Sequence, residues 1–118
     1  MIPVGPATRI YLAAGVTDLR KSFEGLSDLV RHRFHEDPTS GHLFVFANRL
    51  KTRIKILHWD GTGLWVCAKK LPRGTFHWPR TAENETGALR VLAEELTLLL
   101  SGIDLEQTRT RTWWRRVA

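Results

Sequence analysis

Basic and aromatic side chains are interleaved between His42 and Arg80 of this 118-residue chain. The stretch contains eight Lys or Arg residues and one acid, Asp60. Cations neutralise phosphates and flat aromatic faces stack on bases, so this composition favours contact with nucleic acid. The predicted nucleic-acid-binding residues are the basic side chains and one tryptophan: Arg49, Lys51, Arg53, Lys55, Lys69, Lys70, Arg73, Trp78 and Arg80.

The charge of the chain is unevenly distributed around a net value of +6. Residues 82–106 carry six acids and one base, whereas residues 107–118 carry four arginines and no acid. A basic surface favours polyanionic partners, although a solvated face of a basic protein would give the same pattern. Arg20 and Lys21 have two interpretations as well, either as phosphate ligands near a helix start or as solvated side chains beside Asp18.

Patterns for catalysis and metal binding are weak in this sequence. His32, His35 and His42 lack the spacing of a zinc site, and Cys67 is the single cysteine. A metal-dependent nuclease needs several converging carboxylates, and Asp60 lies in a Gly-containing hairpin turn where aspartate has a conformational role. We therefore expect no enzymatic activity, no metal site and no cofactor.

Hydrophobic periodicity predicts an antiparallel meander with two helices. Alternating or continuous apolar runs predict strands at residues 9–13, 42–47, 53–59 and 64–71, with a short edge strand at 75–78. Apolar residues at helical spacing predict helices at about 18–34, with Thr17 as N-cap, and at 88–101. The expected fold is α+β, an antiparallel meander β-sheet with both helices packed on one face. Residues 1–106 form a single domain in this interpretation, and 107–118 form a basic C-terminal tail.

Several colinear segments resemble one known family. An example is the hairpin sequence Trp59-Asp60-Gly61-Thr62-Gly63-Leu64. The segments that carry the resemblance are residues 15–21, 41–46, 53–57, 59–64, 69–71, 74–76, 78–79 and 102–104. They are similar to the accessory protein encoded by the second reading frame of insertion sequence sixty-six elements, the TnpB family. The turn at residues 48–52 departs from that pattern because it lacks the expected Gly or Asp.

The resemblance implies a role in DNA transposition and carries over no catalytic residue. The expected function is a non-enzymatic accessory protein that binds DNA, either element ends or non-specific duplex, through a basic sheet face. The alternative is a protein-interaction module that recruits or regulates the transposase, or another element-encoded protein, without touching DNA. Its candidate anchors would be Trp59, Trp65, Trp113 and Trp114. No apolar run is long enough to span a bilayer, so we expect a cytoplasmic protein without a membrane partner.

Overall fold

The computed structural model describes residues 4–80, 86–105 and 113–117. Within these ranges six strands form one mixed sheet, and two helices pack on it. The elements in chain order are β1 (Ile10–Ala13), α1 (Phe23–Arg33), β2 (Leu43–Ala47), β3 (Arg53–Trp59), β4 (Leu64–Lys70), β5 (Ala88–Val91), α2 (Ala93–Leu100) and β6 (Arg115–Arg116). The sheet order is β4-β3-β2-β1-β5-β6. Every neighbouring pair is antiparallel except β1 and β2, which run parallel, so the predicted α+β class is confirmed.

The helices lie on opposite faces of the sheet, and the prediction that both pack on one face is wrong. Leu26 and Val30 of α1 belong to a cluster that includes Tyr11, whereas Leu96 and Leu99 of α2 belong to a cluster with Leu12. The physical reason is that β1 and β2 are buried along their whole length on both faces. A strand buried on both faces needs a cover on each side, which one helical layer cannot supply.

Helix α1 is shorter than predicted, because residues 17–22 form a loop. The backbone N–H of Thr17 donates to the carbonyl of Ala47 at 3.0 Å, which ties this loop to the end of β2. The helix begins after Ser22 and ends at Arg33. His35 then adopts a left-handed conformation with φ of 55°, which turns the chain away from the helix axis.

The predicted helix at 88–101 divides into strand β5 and helix α2. Leu89 and Val91 point to the α2 side of the sheet, while Ala88 points to the α1 side, which is strand alternation. All four β5 residues pair with β1, on the side of β1 that faces away from β2. Without β5, the backbone N–H and C=O groups on that side would be buried without hydrogen bonds. The turn into α2 is closed by Glu95, whose buried carboxylate accepts a hydrogen bond from the Leu92 N–H at 2.7 Å.

Residues 75–78 form no strand; they cross the α2 side of the sheet as an irregular segment. Phe76 and Trp78 are buried in the cluster that α2 covers. The Phe76 N–H donates to the Lys51 carbonyl at 2.7 Å, and the Trp78 indole N–H donates to the Ala13 carbonyl at 2.8 Å. These bonds connect the segment to the turn before β3 and to the last residue of β1, without the continuous ladder of a strand.

The described part of the predicted tail lies on the sheet. Trp113 is only 2% exposed and belongs to the cluster under α2, while Arg115 and Arg116 pair with β5 as strand β6. Residues 107–112 and 118 of the tail lie outside the described residues, as do Glu83 and Glu85 of the acidic segment.

We predict that Trp113→Ala lowers the free energy of unfolding by about 3 kcal/mol, because it removes a large buried ring and leaves a cavity. Urea denaturation followed by circular dichroism measures this loss. Trp65→Ala is the matched control, since its side chain is 57% exposed. Equal effects of the two substitutions would contradict the buried position of Trp113.

Candidate nucleic-acid interface

The strand register gathers basic residues at one end of the sheet. Arg53, the first residue of β3, pairs with Lys70, the last residue of β4. The Leu71 N–H donates to the Thr52 carbonyl at 2.9 Å, so the turn before β3 lies beside the turn after β4. We call this surface the basic end. Its cationic side chains are Lys21, Arg49, Lys51, Arg53, Lys55, Lys70 and Arg73.

The turn between β2 and β3 contains no glycine and is closed by side-chain hydrogen bonds. The side-chain oxygen of Asn48 accepts hydrogen bonds from the backbone N–H groups of Thr52 and Arg53, at 3.0 and 3.1 Å. Lys51 takes the left-handed conformation, with φ of 57°, that glycine usually occupies in such a turn. Asn48 therefore replaces the Gly or Asp expected from the family pattern and fixes the backbone that carries Arg49 and Lys51.

Arg53, Lys55 and Lys70 lie on the α1 face of the sheet. Directly paired residues share a face, and residues two apart on a strand share a face, which places these three together. They line a hollow of about 360 Å³ whose wall includes Leu19. The Lys55 ammonium donates to the Lys21 carbonyl at 2.9 Å, so the loop before α1 closes one side of the hollow.

Lys69 lies on the opposite face from Lys70. Its ammonium donates to the carbonyl of Leu100 at 2.7 Å, at the carboxyl end of α2. The last carbonyls of a helix have no partner within the helix and carry partial negative charge, so a lysine here stabilises the helix end. The sequence prediction grouped Lys69 with Lys70, and the structure separates them.

Lys51 and Trp78 form one contact at the inner rim of the basic end. The Lys51 ammonium lies 5.8 Å from the centre of the Trp78 ring, and burial together with the nearby charge of Arg49 lowers the pKa of Lys51. The Trp78 ring is 8% exposed. The ring is part of the core and is in contact with the Lys51 ammonium, so it offers no face on which a base could stack. Arg80 is exposed two residues beyond it.

Asp18 lies in the loop before α1, which borders the basic end, and its carboxylate is already paired. It accepts hydrogen bonds from the backbone and the guanidinium of Arg20, with a closest distance of 2.8 Å. These bonds lower the pKa of Asp18 to about 2. The charge of Arg20 is thus balanced locally. Among the described residues no carboxylate forms an ion pair with Arg49, Arg53, Lys70 or Arg73.

Asp60 organises the hairpin at the other end of β3 and β4. Its carboxylate accepts hydrogen bonds from the N–H groups of Thr62 and Gly63, from the Thr62 hydroxyl and, at 2.7 Å, from the Trp65 indole. These bonds hold the pKa of Asp60 far below its usual range. Both oxygens of the carboxylate therefore accept hydrogen bonds from the hairpin itself. The described ranges contain no group of three or more His, Cys, Asp or Glu side chains that could hold a metal ion.

The histidines and tryptophans singled out from the sequence have varied surroundings. His42 is a structural residue, since its Nδ1 accepts a hydrogen bond from the Arg9 N–H at 2.9 Å, whereas His32 and His35 are exposed. Trp113 is buried, and Trp114 stacks with the Arg116 guanidinium 4.9 Å from its ring centre. Trp65 remains as a largely exposed ring, held in one orientation by Asp60.

A family model described as IS66 Orf2-like protein matches residues 8–110, which include both sheet ends and both helices. The chain belongs to the IS66 Orf2-like protein family. Members of this family are accessory proteins of transposition, which confirms the resemblance recognised from the sequence. No helix in the described part of this family member is long and apolar enough to cross a membrane.

Two similar proteins come from Sinorhizobium fredii (strain NBRC 101917 / NGR234). The uncharacterized protein y4hO is 37% identical over 113 residues, covering 96% of this chain and 95% of its own length. The uncharacterized protein y4jC is 33% identical over 110 residues, covering 92% of each chain. Both similarities therefore extend over nearly the whole IS66 Orf2-like chain. No solved structure is significantly similar to it.

We predict that Asp60→Asn makes the free energy of unfolding depend less steeply on pH in the acidic range. Because folding lowers the pKa of Asp60, its stabilising effect is present above the ordinary carboxylate pKa and is lost as the pH falls below that value. Unfolding free energies from urea titrations between about pH 6 and pH 2 should fall less steeply in the variant. Asp28→Asn, which removes an exposed carboxylate of α1, controls for net charge. A pH dependence unchanged by Asp60→Asn would contradict the structural role of this carboxylate.

Proposed function

We propose that this IS66 Orf2-like protein acts in transposition as a non-enzymatic, cytoplasmic DNA-binding protein, and that the basic end contacts DNA phosphates. The observation that carries the proposal is the register of β3 and β4. It brings Arg53 and Lys70 together between two turns that carry Arg49, Lys51 and Arg73. None of these cations forms an ion pair with a carboxylate among the described residues.

The dimensions of the basic end suit a nucleic-acid backbone. Neighbouring strands lie about 4.8 Å apart, so the cations in the β2–β3 turn, on β3, on β4 and in the turn after β4 extend over about 10 Å. That distance corresponds to the rise of about three nucleotides of one strand along the DNA helix axis. Rigid strands hold the cations in place, so less side-chain and backbone entropy is lost on binding than with a flexible tail.

Base-specific contact has little support in this arrangement. The helices lie on the two faces of the sheet rather than at the basic end, and Trp78 is buried. Phosphate contacts position a protein on DNA and carry no direct sequence information. We therefore propose binding to duplex with weak sequence preference. Selection of element ends would come from the transposase or from another element-encoded partner.

The alternative is an interaction module that recruits or regulates the transposase without direct DNA contact. The observation in its favour is Trp65, which is 57% exposed and held by a 2.7 Å hydrogen bond to Asp60. An aromatic ring fixed before binding is a typical anchor of a protein interface. Tight transposase binding combined with weak, salt-insensitive DNA binding would favour this alternative.

Fluorescence anisotropy on labelled element-end duplex, scrambled duplex and single strand, across a salt series, tests the proposal. We expect the affinity to fall steeply with salt. The double variant Arg53→Ala/Lys70→Ala should reduce the log–log slope by about 2, since each phosphate contact contributes about 0.9. The double variant Arg31→Ala/Arg90→Ala removes the same charge from exposed positions on α1 and β5.

The control variant should retain most of the salt slope of the unmodified protein. Equal losses in both double variants would mean that net charge, rather than the basic end, determines binding. Absence of binding to all three nucleic acids at low salt would contradict the proposal and favour the interaction module.

The two neighbouring lysines of β4 provide a sharper comparison. We predict that Lys70→Ala weakens DNA binding more than Lys69→Ala, because Lys70 lies beside Arg53 and the Lys69 ammonium is bound at the end of α2. The same anisotropy titrations at one low salt concentration measure both affinities. A larger effect of Lys69→Ala would place the DNA on the α2 face instead.

A further inference from the structure

Strand β4 lies at one edge of the sheet with a long unpaired side. It contains seven residues and pairs only with β3 in the described part of the chain, whereas β6 at the other edge contains two residues. An exposed edge of this length presents N–H and C=O groups that can pair with another strand.

The hydrogen-bond pattern shows which β4 residues face outward. Leu71 and Thr52 are hydrogen-bonded at one end of the β3–β4 ladder, and Asp60 and Gly63 at the other. Because hydrogen-bonded and non-bonded pairs alternate, Trp65, Cys67 and Lys69 direct their backbone groups toward β3. The groups that point away from the sheet belong to the alternate residues Leu64, Val66, Ala68 and Lys70.

An apolar groove continues from this edge onto the α2 face. Its volume is about 640 Å³, and its walls include Ile54, Ile56, Cys67, Leu96 and Leu100. Trp65 lies on the same face of β4 as Cys67, since the two residues are two positions apart. A contact along β4 would therefore cover unpaired backbone, an exposed indole and the rim of the groove together.

We propose that β4 pairs antiparallel with β4 of a second copy of this chain, which joins two sheets into one. Full overlap of Leu64–Lys70 with itself sets the register and places Cys67 opposite Cys67 of the second copy. In that register Val66 faces Ala68, and both have outward backbone groups, so the ladder can form without a shift. The two cysteines then form a non-hydrogen-bonded pair with a Cα separation of about 4.5 Å.

Charge complementarity favours this orientation. Lys69 lies opposite the exposed Trp65 ring of the second copy on the α2 face, where a cation and an aromatic face attract each other. Its ammonium has three donors and can keep its bond to Leu100. The strand end that carries Lys70 and Arg73 comes beside the hairpin that carries Asp60 of the second copy.

The two lysines also exclude the other orientation. In a parallel pairing Lys69 and Lys70 would lie beside the same residues of the second copy, and like charges at neighbouring positions are destabilising. Lysines on edge strands usually prevent association. Here both lie at one end of β4, so they select the antiparallel arrangement rather than block pairing. The basic ends of the two copies then point in opposite directions.

Multi-angle light scattering after size exclusion, at protein concentrations up to about 200 µM, tests for the dimer, with Cys67 as a reporter of register. We expect a mass of two chains and rapid disulfide formation with copper–phenanthroline in air. Because Cys67 is the single cysteine, any disulfide joins two copies. Ser40→Cys in a Cys67→Ser background is the control, since residue 40 is exposed and lies outside β4.

Variants at Trp65 test the register without disturbing the core. Trp65→Lys places like charges opposite each other and should convert the protein to a monomer with slow cross-linking, whereas Trp65→Glu places an acid opposite Lys69 and should keep the dimer. Circular dichroism confirms folding of each variant. A single-chain mass, or Cys67 cross-linking no faster than in the Ser40→Cys control, would overturn the proposal. Equal behaviour of the two Trp65 variants would overturn the register.

Discussion

The central strand β1 is the element on which the rest of the structure depends. Its four residues are buried; three of them pair with β2 on one side, and all four pair with β5 on the other. Tyr11 supports the cluster under α1, and Leu12 supports the cluster under α2. The carbonyl of Ala13 accepts a hydrogen bond from the Trp78 indole, and the N–H of Ala14, the next residue, donates to the carbonyl of Gly87. Loss of β1 would therefore remove part of the surface that each helix covers.

The burial of β1 and β2 determines where charge can lie. Since β1 and β2 are covered on both faces, neither strand carries a Lys or Arg, and the cations of the basic end lie on β3, on β4 and in the turns and loop beside them. The antiparallel ladder then decides which of these cations meet. It places Arg53 beside Lys70 and directs Lys69 to the carboxyl end of α2. The basic end is therefore a product of strand register, and a one-residue slip of β4 would exchange the two lysines between faces.

Local patterns predicted the bounds of the first four strands to within one residue, because alternation and turn residues report on neighbouring positions. The leucines of 88–101 fit a helical period equally well, and pairing with β1 decides that residues 88–91 form a strand. A sequence window contains no information on that distant partner. The separation of Lys69 from Lys70 was available from strand alternation alone. The burial of Trp78 was not, because it depends on a carbonyl of β1.

The candidate site shows the same division between local and distant information. Which residues are basic was evident from composition, and their placement at one end follows from the register of β3 and β4. The positive charge of the basic end also depends on Asp18. This carboxylate pairs with Arg20 of the same loop, so it does not neutralise the other cations. The groove beside α2 could not be anticipated, since it exists because α2 leaves part of the sheet uncovered.

The connectivity of β1 also has a consequence for how the chain folds. Strands β2, β3 and β4 form hairpins through short turns, so their contacts can form early and at low entropic cost. The β5 partner of β1 lies roughly 75 residues further along the chain, and its pairing is correspondingly slow. During synthesis, one side of β1 therefore stays open until β5 has left the ribosome. A nascent chain is most exposed to misassociation in that interval.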